Sequence, residues 1–476
     1  MKKSPKKGSE TSKNAKKPAA TAEKTGTTRR NFLMSSAASA GLLLGGKTAA
    51  EQAAPAAAPA IASRSREELN VAIIGCGAQG FVLMESMLRI PGIRFQAVCD
   101  IWEDYSLRRA HGTLRRYGFD VNTYIDYREL LEKEQGLDAA IIATPDFVHA
   151  EQTIACLEAG LHVYCEKEMS NCLESARQMV MAANRTQKLL QIGHQRRSNP
   201  RYIHAVENVI KKAKLLGTLT QGFGQWNRAK SDDIVSNPRF DIPAETLAHF
   251  GFDSMQHFNN WRWYKKYGGG PIVDLGSHQI DIFTWVYGTP PKSVTACGGT
   301  DYYGHHEWYD NVMAIFDYDT PQGVSRAFYQ VLTTSSVGGY YERFGGTEGS
   351  LVISELPFNG DWVLREETVA PMWDQHAKNG LIMPEDEEED PIALKGRDIE
   401  VDVRVTPEPG KWPLPVVLNK PAHQPHLENF FDAIRIGVPL TCDGQCGYET
   451  AVAVLKVNEA VAEKRMIEFK PGEFVV

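Results

Sequence analysis

Residues 69–100, LNVAIIGCGAQGFVLMESMLRIPGIRFQAVCD, constrain this chain more than any other stretch. The apolar run Val71–Ile74 is of the kind that makes a strand buried on both faces. Gly75-Cys76-Gly77-Ala78-Gln79-Gly80 follows at once, then a helical pattern from Phe81 to Leu88 and a second strand, Phe95–Cys99, ending in Asp100. Strand, glycine turn, helix, strand and acid in this order predict a dinucleotide grip. Gly75 permits the tight turn, Gly77 lets backbone approach a pyrophosphate, and Gly80 allows close helix–strand packing. The helix start turns its free N–H groups and positive dipole end to the phosphates. A carboxylate at Asp100 accepts ribose hydroxyls, which favours NAD over NADP without excluding the latter.

From 69 to 192 strand and helix patterns alternate without a break. Apolar strands are expected near 121–124, 137–143, 161–165 and 189–192. Thr144-Pro145 is expected to cap a helix with proline at its first position, and Asn171 with Glu174 to form a capping box. Such alternation predicts a parallel, doubly wound sheet, an α/β Rossmann domain over about 68–193. Ligands bind beyond the carboxyl ends of such strands. That places the 75–80 loop, Asp100, Thr144, Pro145, Glu166, Lys167, His194 and Gln195 on one rim.

Beyond 194 the pattern changes to Gly- and aromatic-rich strands, expected at 219–226, 293–297, 311–318, 325–332 and 350–353. They predict an α+β domain over 194–476 with an open, largely antiparallel sheet. Residues 360–420, acidic and Pro-rich, read as a surface insertion, and helices return at 426–436 and 448–464.

Two groups of residues carry chemistry. Glu166-Lys167 ends a strand of the first domain, and Asp274-Leu275-Gly276-Ser277-His278 opens a helix after Gly268-Gly269-Gly270. Four residues apart on an α-helix, Asp274 and His278 share a face. Hydride leaves a carbinol carbon only when a base takes the hydroxyl proton, and imidazole titrates near neutrality. His278 is thus the candidate base, Asp274 its orienting partner, and Lys167 the cation that stabilises charge on the substrate oxygen. Trp261, Arg262, Trp263 and Tyr264 serve equally as sugar-stacking platforms or as core. His305, His306 and Glu307 suggest a metal, but adjacent histidines are expected to point to opposite sides, so no metal site is expected.

The motifs AIIGCGAQG, ATPDFVH (143–149, with Thr144, Pro145 and His149), CEKEMS (165–170), QIGHQRR (191–197), GGGPIVDLGSHQID (269–281) and FGGTEGSLVI (344–353) resemble the glucose–fructose oxidoreductase/inositol dehydrogenase/MocA family. The resemblance covers about 69–355 and the C-terminal helices. It implies NAD(P) in the first domain, a small carbohydrate substrate on the open sheet of the second, and homo-oligomers formed through that sheet's outer face. It implies that Lys167, Asp274 and His278 are the catalytic set and that Thr144, Pro145, His149, Glu166 and Gln195 lie beside the cofactor. Glu168 departs from the pattern, standing where the family's Glu-Lys-Pro motif has proline.

Thr28-Arg29-Arg30-Asn31-Phe32-Leu33, before a short, weakly hydrophobic stretch, resembles a twin-arginine export signal within residues 1–60. The stretch is too short and small-residue-rich to span a membrane, and without cysteine it offers no lipid anchor. The expectation is export by the twin-arginine machinery to the periplasm, with cofactor loaded before export. Residues 1–60 hold eleven Lys or Arg and three Asp or Glu, so their removal moves the formal charge from −7 to −15. Such a balance makes nucleic acid and anionic membrane poor candidates as partners. The eight cysteines include Cys76, Cys99, Cys156 and Cys165 in expected core positions and read as buried thiols rather than a disulfide framework.

The combined expectation is an exported NAD-dependent oxidoreductase acting on a hydroxyl of a sugar, cyclitol or glycoside. The rivals are a glycoside-cleaving enzyme that oxidises its sugar transiently with a retained NAD, and a non-catalytic carbohydrate-binding protein on the same fold.

Overall fold

The structure, a computed structural model, describes residues 68–366, 370–385 and 410–476. The export segment and most of the acidic run 385–390 lie outside these residues.

The first sheet is built from β1 (Leu69–Ile74), β2 (Ile93–Cys99), β3 (Asn122–Tyr124), β4 (Ala139–Ile142), β5 (His162–Cys165) and β6 (Leu190–Ile192). Their order is β3-β2-β1-β4-β5-β6, with every pairing parallel. The crossover helices include α1 (Ala78–Met87), α2 (Arg108–Arg116), α3 (Tyr127–Lys133), α4 (Asp146–Glu158) and α5 (Leu173–Thr186). Successive β1 side chains enter opposite layers: Val71 and Ile73 pack in one hydrophobic cluster, Ala72 and Ile74 in another. A strand covered on both faces has no reason to carry polar residues, which is why this sheet announces itself as apolar runs.

Two local expectations are corrected. Pro145 is the N-cap of α4, not its first residue, and the Thr144 hydroxyl donates to Gln152 instead of capping. Asn171 does not cap α5; its side-chain amide donates to the Lys266 carbonyl 3.1 Å away, tying this loop to the segment before the triple glycine.

Among the described residues the second sheet has nine strands. β7 (Leu219–Asn227) is followed by a helical segment, a five-residue π-turn at Ile272–Gly276 running directly into α6 (Ser277–Tyr287). Then come β8 (Ser293–Gly299), β9 (Asn311–Thr320), β10 (Gly323–Leu332), β11 (Tyr340–Gly346), β12 (Gly349–Ile353) and β13 (Asp361–Arg365). β14 (Lys411–Pro413) and β15 (Ile467–Glu468) close the edges. The order is β14-β13-β12-β11-β7-β10-β9-β8-β15, antiparallel except between β7 and β10.

The 360–420 stretch is therefore not wholly a surface insertion. Its described parts supply β13, helix α7 (Ala370–Lys378) and β14, and bury Trp373, Ile382 and Trp412. The C-terminal helices also depart from the expected partition. α8 (Gln424–Ile436) lays Leu427, Phe430 and Phe431 onto the first sheet beside Val71 and Ile73. α9 (Gly444–Glu463) is buried along one side and packs with its Gly447 against Ile192 of β6. Among the described residues no helix is long and apolar enough to cross a membrane. The cysteines are unpaired thiols: Cys76, Cys99, Cys156 and Cys165 are buried as expected, while Cys172 and Cys297 are exposed.

Candidate active site

A cleft of about 930 Å³ opens at the carboxyl end of the first sheet, with the π-turn, α6 and the end of β7 as its far wall. Its floor is the β1–α1 turn. Gly75 has φ +92°, and a Cβ there would lie 2.6 Å from the Ala143 backbone. A Cβ on Gly80 would lie 1.9 Å from the Gly75 carbonyl oxygen, so helix and strand meet only because both positions are glycine. A Cβ on Gly77 would meet nothing within 4 Å, which leaves open space over the loop where a pyrophosphate fits. α1 begins at Ala78 with no side-chain cap, so its first N–H groups remain available to an anion.

Asp100 braces this floor from the end of β2. Its Oδ2 accepts from Cys76 N and its Oδ1 from Trp102 N, both at 2.7 Å, and burial raises its pKa to about 6. Each oxygen keeps a further lone pair for a ribose hydroxyl. The open glycine, the uncapped helix start and this carboxylate together fit a dinucleotide.

The remaining expected cofactor residues divide into two groups. Thr144, Pro145, Glu166 and Gln195 line the cleft. Glu166 Oε1 accepts from Gln79 Nε2 (3.1 Å), and Gln195 Nε2 donates to Glu355 (2.9 Å). His149 does not reach the cleft. It is 1% exposed and lies behind the rim, its ring nitrogens each 2.7 Å from a carbonyl oxygen, of Thr144 and of Glu168, one of which accepts the ring's single N–H. Burial lowers its pKa to about 4. His194 is likewise buried behind the rim rather than on it, with neither ring nitrogen partnered.

Lys167, Asp274 and His278 come together in the cleft, but not in the expected pairing. Lys167 Nζ donates to the Asp274 carbonyl at 2.6 Å and lies 3.4 Å from its Oδ1, which also accepts from Arg262 Nε at 3.0 Å. The Asp274 carboxylate therefore serves two cations, and no hydrogen bond joins it to His278. The reason is local: residues 272–276 form a π-turn, whose wider winding breaks the α-helical rule that places i and i+4 on one face. Burial alone would raise the Asp274 pKa; Arg262, Lys167 and Arg228 hold it well below the usual carboxylate range.

His278 is 8% exposed and packs 5.5 Å from Trp226, ring centre to ring centre. Burial first, then the charge of Lys167, drives its pKa well below the ordinary value, so the ring is neutral. Nδ1 is sealed and unpartnered, which leaves Nε2 as the nitrogen that reaches the cleft. The Lys167–Glu168 peptide is cis. The Glu168 side chain is fully buried, one oxygen accepting from Met169 N and the other unpartnered, and burial lifts its pKa to about 8.

Sequence reasoning missed three cleft residues. Asp146, the first residue of α4, is 4% exposed and raised to about 7 by burial, against the opposing pull of Lys167. An acid directly after Thr-Pro was the available signal. Arg262 stands in an aromatic run that reads as stacking surface or core, and nothing local marks its charge as bound for Asp274. His423, 3.0 Å from Gln79 Nε2, arrives from the far end of the chain and left no local signal. Trp261 and Trp263 line the cleft, whereas Tyr264 packs against His257.

Comparison with known proteins agrees with this geometry. A model described as the oxidoreductase family, NAD-binding Rossmann fold, matches residues 69–194, and a GFO/IDH/MocA C-terminal domain matches 239–352. The two span about half the chain. The chain belongs to the Gfo/Idh/MocA family. Among relatives of this Gfo/Idh/MocA chain, 1,5-anhydro-D-fructose reductase of Ensifer adhaerens is 28% identical over 47% of this chain and 59% of its own length. A glycosyl hydrolase family 109 protein of Shewanella sp. (strain ANA-3) is 30% identical over 34% of this chain and 38% of its own. The chain thus spans about half the length of the curated relatives it matches. The solved structure of levoglucosan dehydrogenase in complex with NADH shares the fold at TM-score 0.63 and 18% identity, over 85% of this chain and all of that one.

Proposed function

We propose that the protein moves a hydride between NAD and a hydroxyl-bearing carbon of a sugar, cyclitol or glycoside. The observation that carries this is a neutral imidazole, His278, sharing one cleft with the Lys167 ammonium and the open glycine loop. Gly75 to Gln79 would hold the pyrophosphate and Asp100 a ribose. When bound there, NAD supplies the hydride acceptor at one end of the cleft.

The residues then divide the work. His278 Nε2 takes the hydroxyl proton, with the ring's own proton kept on Nδ1. Lys167 has three N–H groups, of which Asp274 occupies two, and the third is left to bind the substrate oxygen as negative charge develops. Asp274, itself held by Arg262, fixes that ammonium rather than the imidazole. Trp226, Trp261 and Trp263 supply apolar faces against which a sugar ring can stack.

A second reading keeps the same first step: transient oxidation of a glycoside with retained NAD, elimination of the aglycone, and return of the hydride. The likeness to a family 109 glycosyl hydrolase favours it. We extend the proposal to location and assembly. The Arg29-Arg30 motif supports twin-arginine export of a chain that carries its NAD to the periplasm, and the open sheet supports homo-oligomers.

The test is to purify the chain without added cofactor, denature it, and assay the supernatant for NAD(H) and NADP(H), then to screen sugars and glycosides. A keto sugar with reduced cofactor supports the dehydrogenase, and a cleaved glycoside with no net reduction supports the second reading. Failure to bind either dinucleotide would sink both.

A further inference from the structure

Behind the substrate side of the cleft lies a cluster that the proposed reaction does not use. Residues 301–310 form an irregular turn rather than a strand, so the rule that neighbouring side chains alternate does not apply to them. His305 and His306 both turn to one carboxylate, that of Asp233: His306 Nε2 lies 2.9 Å from Oδ1 and His305 Nε2 3.2 Å from Oδ2. The expectation that these histidines diverge is overturned.

We propose that Asp233, His305 and His306 form a binding site for one divalent transition-metal ion of the zinc type. Two imidazoles and a carboxylate are a donor set such ions accept, with a remaining position for water. Ligands about 2.0–2.1 Å from a tetrahedral ion stand about 3.3 Å apart. Here each imidazole nitrogen lies 2.9 or 3.2 Å from one Asp233 oxygen, and one donor atom from each of the three residues lies within 4.8 Å of the others. The surroundings hold the donors in place. The His306 ring stacks on Trp263 (4.1 Å, 13°) and also contacts Tyr303 (4.7 Å, 24°), and Gln256 Nε2 donates to Asp233 Oδ2 at 2.7 Å. His305 is 61% exposed, which gives an ion and its water a way in.

Charge separates this cluster from the other candidate in the molecule. Asp281 lies with Cys442 and Cys446, but Arg197 already binds both of its carboxylate oxygens, at 2.8 and 3.0 Å, and a cation there would meet a guanidinium. Among the described residues the ion pairs of Asp233 are with the two histidines alone. An ion at Asp233 would pin residues 231–234, three of which line the cleft, to the 301–310 turn. Ser231 N already donates to Tyr303 there, at 2.9 Å.

The experiment uses the full chain, stripped with a chelator and dialysed. Co²⁺ alone is titrated by visible absorption and then displaced by Zn²⁺, with bound metal counted by equilibrium dialysis. One equivalent is expected, weakened at least about tenfold in His305→Ala and in Asp233→Asn. His305→Ala changes an exposed side chain and keeps the fold, which circular dichroism checks. Cys442→Ser should bind as the wild type does. Absence of stoichiometric uptake by the wild type, or full uptake by His305→Ala, overturns the proposal.

Discussion

Two clusters of buried charge lie close together in this molecule and do different work. In the cleft, Lys167 and Arg262 share Asp274, and His278 stands nearby with one sealed and one open nitrogen. At the exit of β6, Arg196 pairs with Glu342 and, at 3.1 Å, with Glu355, while the Tyr202 hydroxyl donates to Glu342 at 2.7 Å. Arg201 alongside spans from Asp361 to the Ser354 and Gly360 carbonyls. Both clusters are perturbed: against burial, Arg262 and Lys167 hold Asp274 low, while burial raises Glu342 even with Arg196 against it. The difference is what remains unused. Glu342 is hydrogen-bonded through both oxygens and 0% exposed, and the unpartnered Arg196 Nε beside it is sealed too, whereas Lys167 keeps a donor and His278 a lone pair toward open space. Perturbation marks burial; an unspent group on a cavity marks a site.

Substitutions that separate chemistry from stability would break or sharpen this contrast. The largest effect is expected for Lys167→Ala, which should lower turnover by about 10²–10³-fold with NAD affinity and melting temperature nearly unchanged. Stopped-flow hydride transfer and cofactor fluorescence titration measure the two. Unchanged turnover would remove Lys167 from the mechanism. Glu342→Ala should do the reverse, stranding Arg196 and costing about 3–5 kcal/mol of stability by urea unfolding. An undiminished unfolding midpoint would mean that the second cluster is not a brace.

A smaller effect tests the floor. Gly77→Ala meets no neighbour, so the fold should be untouched while NAD binds about tenfold more weakly, roughly 1.4 kcal/mol. The last concerns pH. The folded-state pKa of Glu168 is raised to about 8, so the folded chain binds a proton that the unfolded chain releases near its ordinary value. Stability from this group is present in acid and is lost as pH rises toward 8. Wild type should therefore lose ground to Glu168→Gln between pH 5 and 8, followed by urea midpoints at each pH; a constant gap would show that the carboxyl titrates normally. Asp146, at about 7, acts in the same direction in both proteins.

The amino-acid sequence by itself determined the parallel sheet, the glycine turn and the identity of the cleft's first wall. The physical reason is that these are local matters: a doubly covered strand must be an apolar run, and a turn with φ near +90° pressed against neighbouring backbone, as at Gly75, must be glycine. It also determined most of the second sheet, where alternation survives, as in β9 and β10. It did not determine β11, an interior strand ending in Gly345-Gly346, nor β13, β14 and β15, short strands at or next to the sheet's edges.

Tertiary structure decided the rest. Lys167 and His278 were legible as chemistry, but which partner Asp274 serves depended on a π-turn and on Arg262 arriving twelve residues upstream. His423 and Gln79 are 344 residues apart, and Asp233 meets His306 across 73. No periodicity encodes such meetings. They are settled when α8 returns to the first sheet and the 301–310 turn closes on its neighbour, because packing of apolar faces, not local pattern, chooses which distant polar groups must share a site.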